Sequence, residues 1–269
     1  MKNKIIFALA AVITACLLIF VGCSINSDEP KDNGETETKE VLQTVSTTEK
    51  KELTYEEKLK TIAFTFDDGP SVNHTPRVLD ALSEFGYTAT FFVVGQNVEG
   101  REAVLQQILD AGCEIGNHSW SHKNLSEVSL DVRNSQINRT NEAVKNAVGY
   151  DIRLLRAPYG DVAGIKGEVD MPLIQWSLDT EDWKKKKCAG DADEARALAD
   201  YILENVECGT IVLMHDIYDF TAEVCELVMP ELHERGYRVV SVSQMYEDFG
   251  KPLKGGTVYS HPSPDPNPQ

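Results

Sequence analysis

From residue 62 onward, short apolar runs alternate with longer stretches whose apolar residues recur at helical spacing. Ile62-Ala63-Phe64-Thr65-Phe66 is β-branched and aromatic and stops at Asp67-Asp68-Gly69-Pro70, which predicts a strand followed by a loop. Pro76 to Phe85 carries Val78, Leu79 and Leu82 on one helical face, Gly86 ends it, and Ala89 to Val94 reads as a buried strand. The unit then recurs. Arg101 to Ala111 is helical and Cys113 to Gly116 is a strand; Ser129 to Val148 is a long polar helix, followed by a strand at Ile152 to Leu155. Leu173 to Leu178 and Thr210 to Met214 are predicted strands on either side of a helix at Ala192 to Val206. A helix from Thr221 to Gly236 and a strand from Tyr237 to Val242 close the series.

Repeated strand-helix units predict parallel strands, and about seven of them favour a closed or nearly closed barrel over a doubly wound open sheet. The spacing between Asp161 and Pro172 leaves little room for a full helix, so barrel regularity is expected to fail there.

The two ends of the 269-residue chain lack this pattern. Met1 to Lys4 is positively charged and Ile5 to Val21 almost wholly apolar, the layout of a secretory signal. Gly22-Cys23-Ser24 follows, and a small residue before cysteine at that place resembles a bacterial lipoprotein processing site with Cys23 as the lipidated residue. The alternative is an uncleaved signal anchor, since the apolar run is near the short limit for crossing a bilayer. Both readings tether the chain to a membrane, facing outward, in the envelope of a bacterium. Residues 24–58 are rich in Glu, Lys, Thr, Ser and Asp and read as a disordered tether, and the proline-rich residues 251–269 as a loosely ordered tail. That leaves 59–250 for one domain.

A net charge of −17 excludes nucleic acid as a partner. Cys113, Cys188, Cys208 and Cys225 could pair in three ways, and the sequence selects none. No CxxC pair is present, which disfavours a cysteine zinc site.

The candidate chemistry sits just after the apolar strands, and in a parallel barrel those strand ends share one face. Asp67 and Asp68 are neighbours whose side chains diverge, so one carboxylate can bind a metal while the other takes a proton. His118 and His122 are four apart, the spacing that brings two imidazoles to one face of a helical turn. With Asp68 they make three protein ligands and leave positions open for water and substrate, the pattern of catalytic rather than structural zinc. Arg156 could hold a carboxylate such as Asp67 in its charged form. Asp179 to Trp183 and Leu213 to Asp216 bring a further carboxylate and imidazole to two later strand ends, a pairing that raises the pKa of histidine.

Five motifs, Thr65 to Pro70, His118 to His122, Arg156 to Gly160, Asp179 to Trp183 and Ile211 to Asp216, stand in this order. In that set the chain, from Thr61 to Phe249, resembles the polysaccharide deacetylase family, carbohydrate esterase family 4 or NodB-homology domain, and peptidoglycan N-acetylglucosamine deacetylases within it. The resemblance implies a distorted (β/α) barrel in which Asp68, His118 and His122 bind the metal, with zinc the default ion. It implies that Asp67 is the base, tuned by Arg156, and that His215 is the acid, tuned by Asp182. The backbone N–H of Tyr159 would face the oxyanion, and Trp183 and Leu213 would wall the acetyl methyl pocket. The implied activity is removal of N-acetyl groups from a cell-wall glycan, by a monomer. Chitooligosaccharides or the O-acetyl groups of xylan are the alternative substrates.

Overall fold

The structure, a computed structural model, describes residues 52–264; Cys23, the signal segment and most of the proposed tether lie outside the described residues. At the centre is β1 (Thr61–Asp67), buried at every position. Its run of Ile, Ala and Phe suits a strand covered on both faces. β1 lies between β2 (Thr90–Val93) and β6 (Ile211–His215), and β2 pairs with β3 (Glu114–Asn117). On the far side, β6 pairs with β5 (Leu178–Asp179), while β7 (Arg238–Val239) joins the first residues of β1. Every ladder is parallel. Single bridges at Leu155 link β3 to β4 (Leu173–Ile174), which pairs with β8 (Val258–Tyr259). No ladder among the described residues joins β4 or β8 to β5, so the strands make a distorted, unclosed (β/α) barrel.

Helices α2 (Thr75–Ser83), α3 (Glu102–Asp110), α4 (Leu130–Val148), α5 (Ala192–Asn205) and α6 (Asp219–Glu234) wrap the strands, and α7 (Val242–Asp248) follows β7. Their apolar faces meet the sheet in a core containing Phe64, Phe66, Phe91, Leu105, Ile202 and Phe220. The ring centroids of Phe66 and Phe91 stack 5.0 Å apart across β1 and β2.

Four expectations change. The run Leu173 to Leu178 is two short strands, because Trp176 and Ser177 turn the chain from one partner to the next: Gln175 N–H bonds Tyr259 O and Ser177 N–H bonds Ile211 O. Ile152 to Leu155 shrinks to the bridge residue Leu155. The tail contributes β8, whose Tyr259 ring meets Tyr246 edge-on. Finally, helix α1 (Tyr55–Leu59) lies where the sequence reading ends the tether. Its signal was local: Thr54 and Glu57 form a capping box, each side chain accepting the other's backbone N–H. Residues 161–172 form no helix, as their length required.

Candidate functional site

Register places the chemistry. Asp67 at the end of β1 is opposite His215 at the end of β6, and β3 ends at Asn117, one residue before His118. The strand ends open on a cleft of roughly 540 Å³ lined by Asp67, Asp68, His118, His122, Tyr159 and His215, with Trp183, Leu213, Trp176 and Tyr218 also facing it. All ten residues named for catalysis, substrate and metal are at this cleft or directly behind it, with Arg156 and Asp182 fully buried beneath its floor.

On one side, His122 Nε2 lies 3.3 Å and His118 Nε2 3.6 Å from Asp68 Oδ1. The three donor atoms fall within 4.8 Å of one another. Ligands around a tetrahedral zinc sit ~3.4 Å apart, given metal-ligand bonds of about 2.0–2.2 Å, so this donor set fits such an ion. His118 Nδ1–H donates to the Arg156 carbonyl at 2.9 Å, which fixes the tautomer and leaves the Nε2 lone pair directed at the site. Burial, with the neighbouring His118 adding to it, holds His122 below its ordinary pKa and so in the neutral form that metals require.

The histidines do not reach this arrangement on a helix. The spacing argument foresaw a helical turn, but His118 to His122 is a loop in which Ser119 and His122 adopt left-handed backbone, φ 64° and 54°; the imidazole centroids are 5.0 Å apart. The loop is held from behind. Asn117 Oδ1 accepts the Ser119 N–H at 2.7 Å, Gln136 Oε1 on α4 accepts the Ser121 N–H at 2.9 Å, and Asn117 Nδ2 bonds Ile137 O and Asn141 Oδ1.

Asp67 adjoins the donor triad, with Oδ2 3.7 Å from His118 Nε2. Its Oδ1 accepts Arg156 Nη1–H at 2.8 Å. Arg156 also donates to Thr65 Oγ1 and to the carbonyls of Ile174 and Gln175, and its guanidinium lies 4.3 Å over the Phe92 ring. A guanidinium this deep needs such a set of partners, because an unpaired buried charge is very costly. The ion pair is thus buried at the root of the site.

Across the cleft, His215 Nδ1–H donates to Asp182 Oδ1 at 2.7 Å, leaving Nε2 free toward the opening. Asp182 also accepts from His215 N, Trp183 N and Thr221 Oγ1. Burial opposes the charged imidazole, but the Asp182 bond and the charges of Asp182, Asp67 and Asp68 outweigh it and raise His215 to about 9.

Tyr159 stands at the rim, 69 % exposed and with φ 63°; its ring meets His122 edge-on at 4.7 Å. Its backbone N–H has no acceptor among the described residues, and Gln175 Nε2 holds the next carbonyl, Gly160 O, at 2.6 Å. Trp183, 44 % exposed, faces the cleft with buried Leu213. Sequence reasoning missed Thr221, Asn117, Gln136, Trp176 and Tyr218. Trp176 had a local signal, as an aromatic inside the predicted strand Leu173 to Leu178; Asn117 ends β3 directly before His118 and Tyr218 immediately precedes α6, while Gln136 and Thr221 are carried on helices.

All five non-glycine residues with positive φ among the described residues, Asp68, Ser119, His122, Tyr159 and Glu181, belong to these loops. Strained backbone persists only where its surroundings over-determine it, and it concentrates at functional sites. Among the other described residues only glycines have positive φ. The four domain cysteines are all free. No helix among the described residues is long and apolar enough to cross a membrane.

Comparison with known proteins agrees with this geometry. The polysaccharide deacetylase family model matches residues 54–169. The peptidoglycan-N-acetylglucosamine deacetylase PgdA of Listeria monocytogenes is 38 % identical over 201 residues, covering 74 % of this chain and 41 % of PgdA. The peptidoglycan-N-acetylmuramic acid deacetylase PdaC of Bacillus subtilis is 35 % identical over 73 % of this chain and 41 % of PdaC. This chain thus spans about two fifths of the length of those relatives. The peptidoglycan-N-acetylglucosamine deacetylase of Bacillus cereus is 32 % identical over 69 % of this chain and 68 % of that protein. A family 4 acetyl xylan esterase from Clostridium thermocellum, solved with a cobalt ion, superposes with a TM-score of 0.68 at 31 % identity, over 75 % of this chain and 98 % of that one. From its five strand-end motifs, its parallel fold and these relatives, the chain belongs to the polysaccharide deacetylase family.

Proposed function

We propose that this protein is a metal-dependent hydrolase that removes N-acetyl groups from the N-acetylglucosamine of peptidoglycan. One observation carries the reading: a three-donor metal triad, a buried carboxylate-arginine pair and a carboxylate-backed histidine face each other across a single cleft. Asp68, His118 and His122 hold a divalent ion, zinc by default, which when bound supplies Lewis acidity to the acetamide carbonyl and to a water. Asp67, held in place by its hydrogen bond from Arg156, takes the proton of the attacking water. The carbonyl oxygen, negative once the water has added, is met by the Tyr159 N–H, a donor worth a few kcal/mol when preorganised. His215, protonated through its Asp182 bond, gives its proton from Nε2 to the amine nitrogen as the C–N bond breaks, releasing acetate. Trp183 and Leu213 enclose the acetyl methyl group.

Peptidoglycan is supported by the named activities of the relatives and by the secretory segment ahead of the domain. In this reading Cys23 is lipidated, or the apolar run is kept as an anchor. Residues 1–23 then fix the domain to the outer face of the membrane, residues 24 onward reach to the wall, and the domain acts as a monomer. A second reading, an ester substrate such as acetylated xylan, draws on the superposed esterase, whose site would need the same donors. Acetate release from peptidoglycan, chitin oligomers and acetylated xylan, with zinc and with chelator, separates the two. Zinc-dependent release from peptidoglycan is expected, and release from xylan alone overturns the amide assignment.

A further inference from the structure

Asp216, like Asp179 at the end of β5, is an acidic residue at the strand ends that the reaction above does not use. It follows His215 on β6, and because Asp67 is opposite His215 in register, Asp216 comes level with Asp68. Alternation along the strand turns its side chain away from the cleft. It is wholly buried, and its Oδ1 has no hydrogen-bond partner among the described residues.

Its carboxyl group is packed against the turn that carries Asp68. A Cβ built on Gly69 would lie 2.5 Å from Asp216 Oδ1, 2.6 Å from Oδ2 and 2.9 Å from Cγ, so only glycine admits this contact. The other oxygen, Oδ2, accepts the Thr75 hydroxyl. Thr75 Oγ1 in turn accepts the Ser71 N–H at 2.8 Å, closing the segment from Gly69 to Thr75 back over the carboxyl group. From above, Asn97 Nδ2 bonds Asp68 O and Val94 N bonds Gly69 O. Asp68 itself has φ 73°, a conformation that needs such clamping.

We propose that Asp216 is a positioning residue that sets the Asp68 turn, and with it the Asp68 carboxylate, through Gly69 and Thr75. It ties the strand bearing the proton donor to the loop bearing a metal ligand, so one buried group governs both. The inference rests on the Asp68, His118 and His122 metal centre proposed above.

The test is the zinc dissociation constant, measured by competition with a chromophoric chelator, alongside the melting temperature. The proteins are the full chain, Asp216→Ala, Asp216→Asn and Thr75→Val. Loss of a group that orients a ligand typically weakens metal binding at least tenfold, so Asp216→Ala and Thr75→Val are expected to raise the constant by about 10-fold. Asp216→Asn keeps the shape and the acceptor for Thr75, and is expected to restore most of that loss. Should Asp216→Ala not fold, Thr75→Val, which keeps the volume, decides alone. Variants that melt earlier yet bind zinc within about twofold of the parent chain would reduce Asp216 to a packing residue and overturn the proposal. A parent chain that binds no zinc would overturn the metal centre itself, and this inference with it.

Discussion

The two walls of the cleft are built by different means. On the metal and base side, Asp68, His118, His122 and Tyr159 project from loops, and four of the five left-handed residues are there. On the acid side, His215 ends a regular strand, Thr221 is in the first turn of α6, and only Glu181 is left-handed. The electrostatics divide the same way. Arg156 and Asp67 form a buried ion pair, whereas His215, backed by Asp182, is raised to about 9 and faces the cleft with its other nitrogen. Three side chains that converge on one ion cannot all come from a single strand, so loops must be bent to it and held. A proton donor needs only one nitrogen aimed outward and one carboxylate behind it, which a strand end and the short turn at Asp182 supply with a single left-handed residue, Glu181.

Perturbing each wall tests this contrast. Asp67→Asn keeps the shape but removes the proton acceptor, and kcat is expected to fall roughly 10²–10⁴-fold, the usual worth of a general base, with zinc content unchanged. Arg156→Met leaves the Asp67 carboxylate buried and unpaired, and breaking such a pair destabilises by about 3–5 kcal/mol, read from urea unfolding. Asn117→Ala releases the Ser119 N–H and two anchors on α4, and zinc affinity is expected to drop about 10–100-fold while the acid side is untouched.

Asp182→Asn acts on the other wall and has a sign in pH. With Asp182, His215 is raised to about 9, so the protonated donor persists through neutral pH and activity falls as pH rises past it. A bound divalent ion offsets the Asp67 and Asp68 contributions, so the alkaline limb of the loaded protein falls below 9. Asp182→Asn is expected to move that limb to lower pH, measured as the pH dependence of kcat. The same pair contributes stability that is fully present below 6.5 and lost as pH rises through about 9. Far from either wall, Thr54→Ala removes the α1 capping box for about 1 kcal/mol and leaves zinc binding and kcat alone.

This contrast also explains what could be read from residue order. Asp67, Asp68, His118, His122, Arg156, Asp182 and His215 were legible because each directly follows or adjoins a short apolar run. Parallel strands then bring such ends to one face whatever the details of closure. The loop geometry was not legible. The four-residue histidine spacing is shared by a helical turn and by the left-handed loop that forms, and what selects the loop is Asn117 and Gln136 acting across α4. Thr221 and Asp216 were silent for a related reason, since their partners are 39 and 141 residues away. β8 was hidden because two residues among prolines carry no periodicity, and only pairing with β4 makes them a strand. Thr54 and Glu57 were readable as a cap but lay in a charged stretch that looked like tether.

The account stands most directly on one comparison: acetate released from peptidoglycan by the zinc-loaded chain and by zinc-loaded Asp67→Asn, with metal content measured in both. Release by the first and its near loss in the second, at equal zinc, is the predicted result. Equal release by both proteins, or none from the zinc-loaded parent chain, would contradict the assignment of this cleft as a metal-dependent deacetylase site with Asp67 as its base.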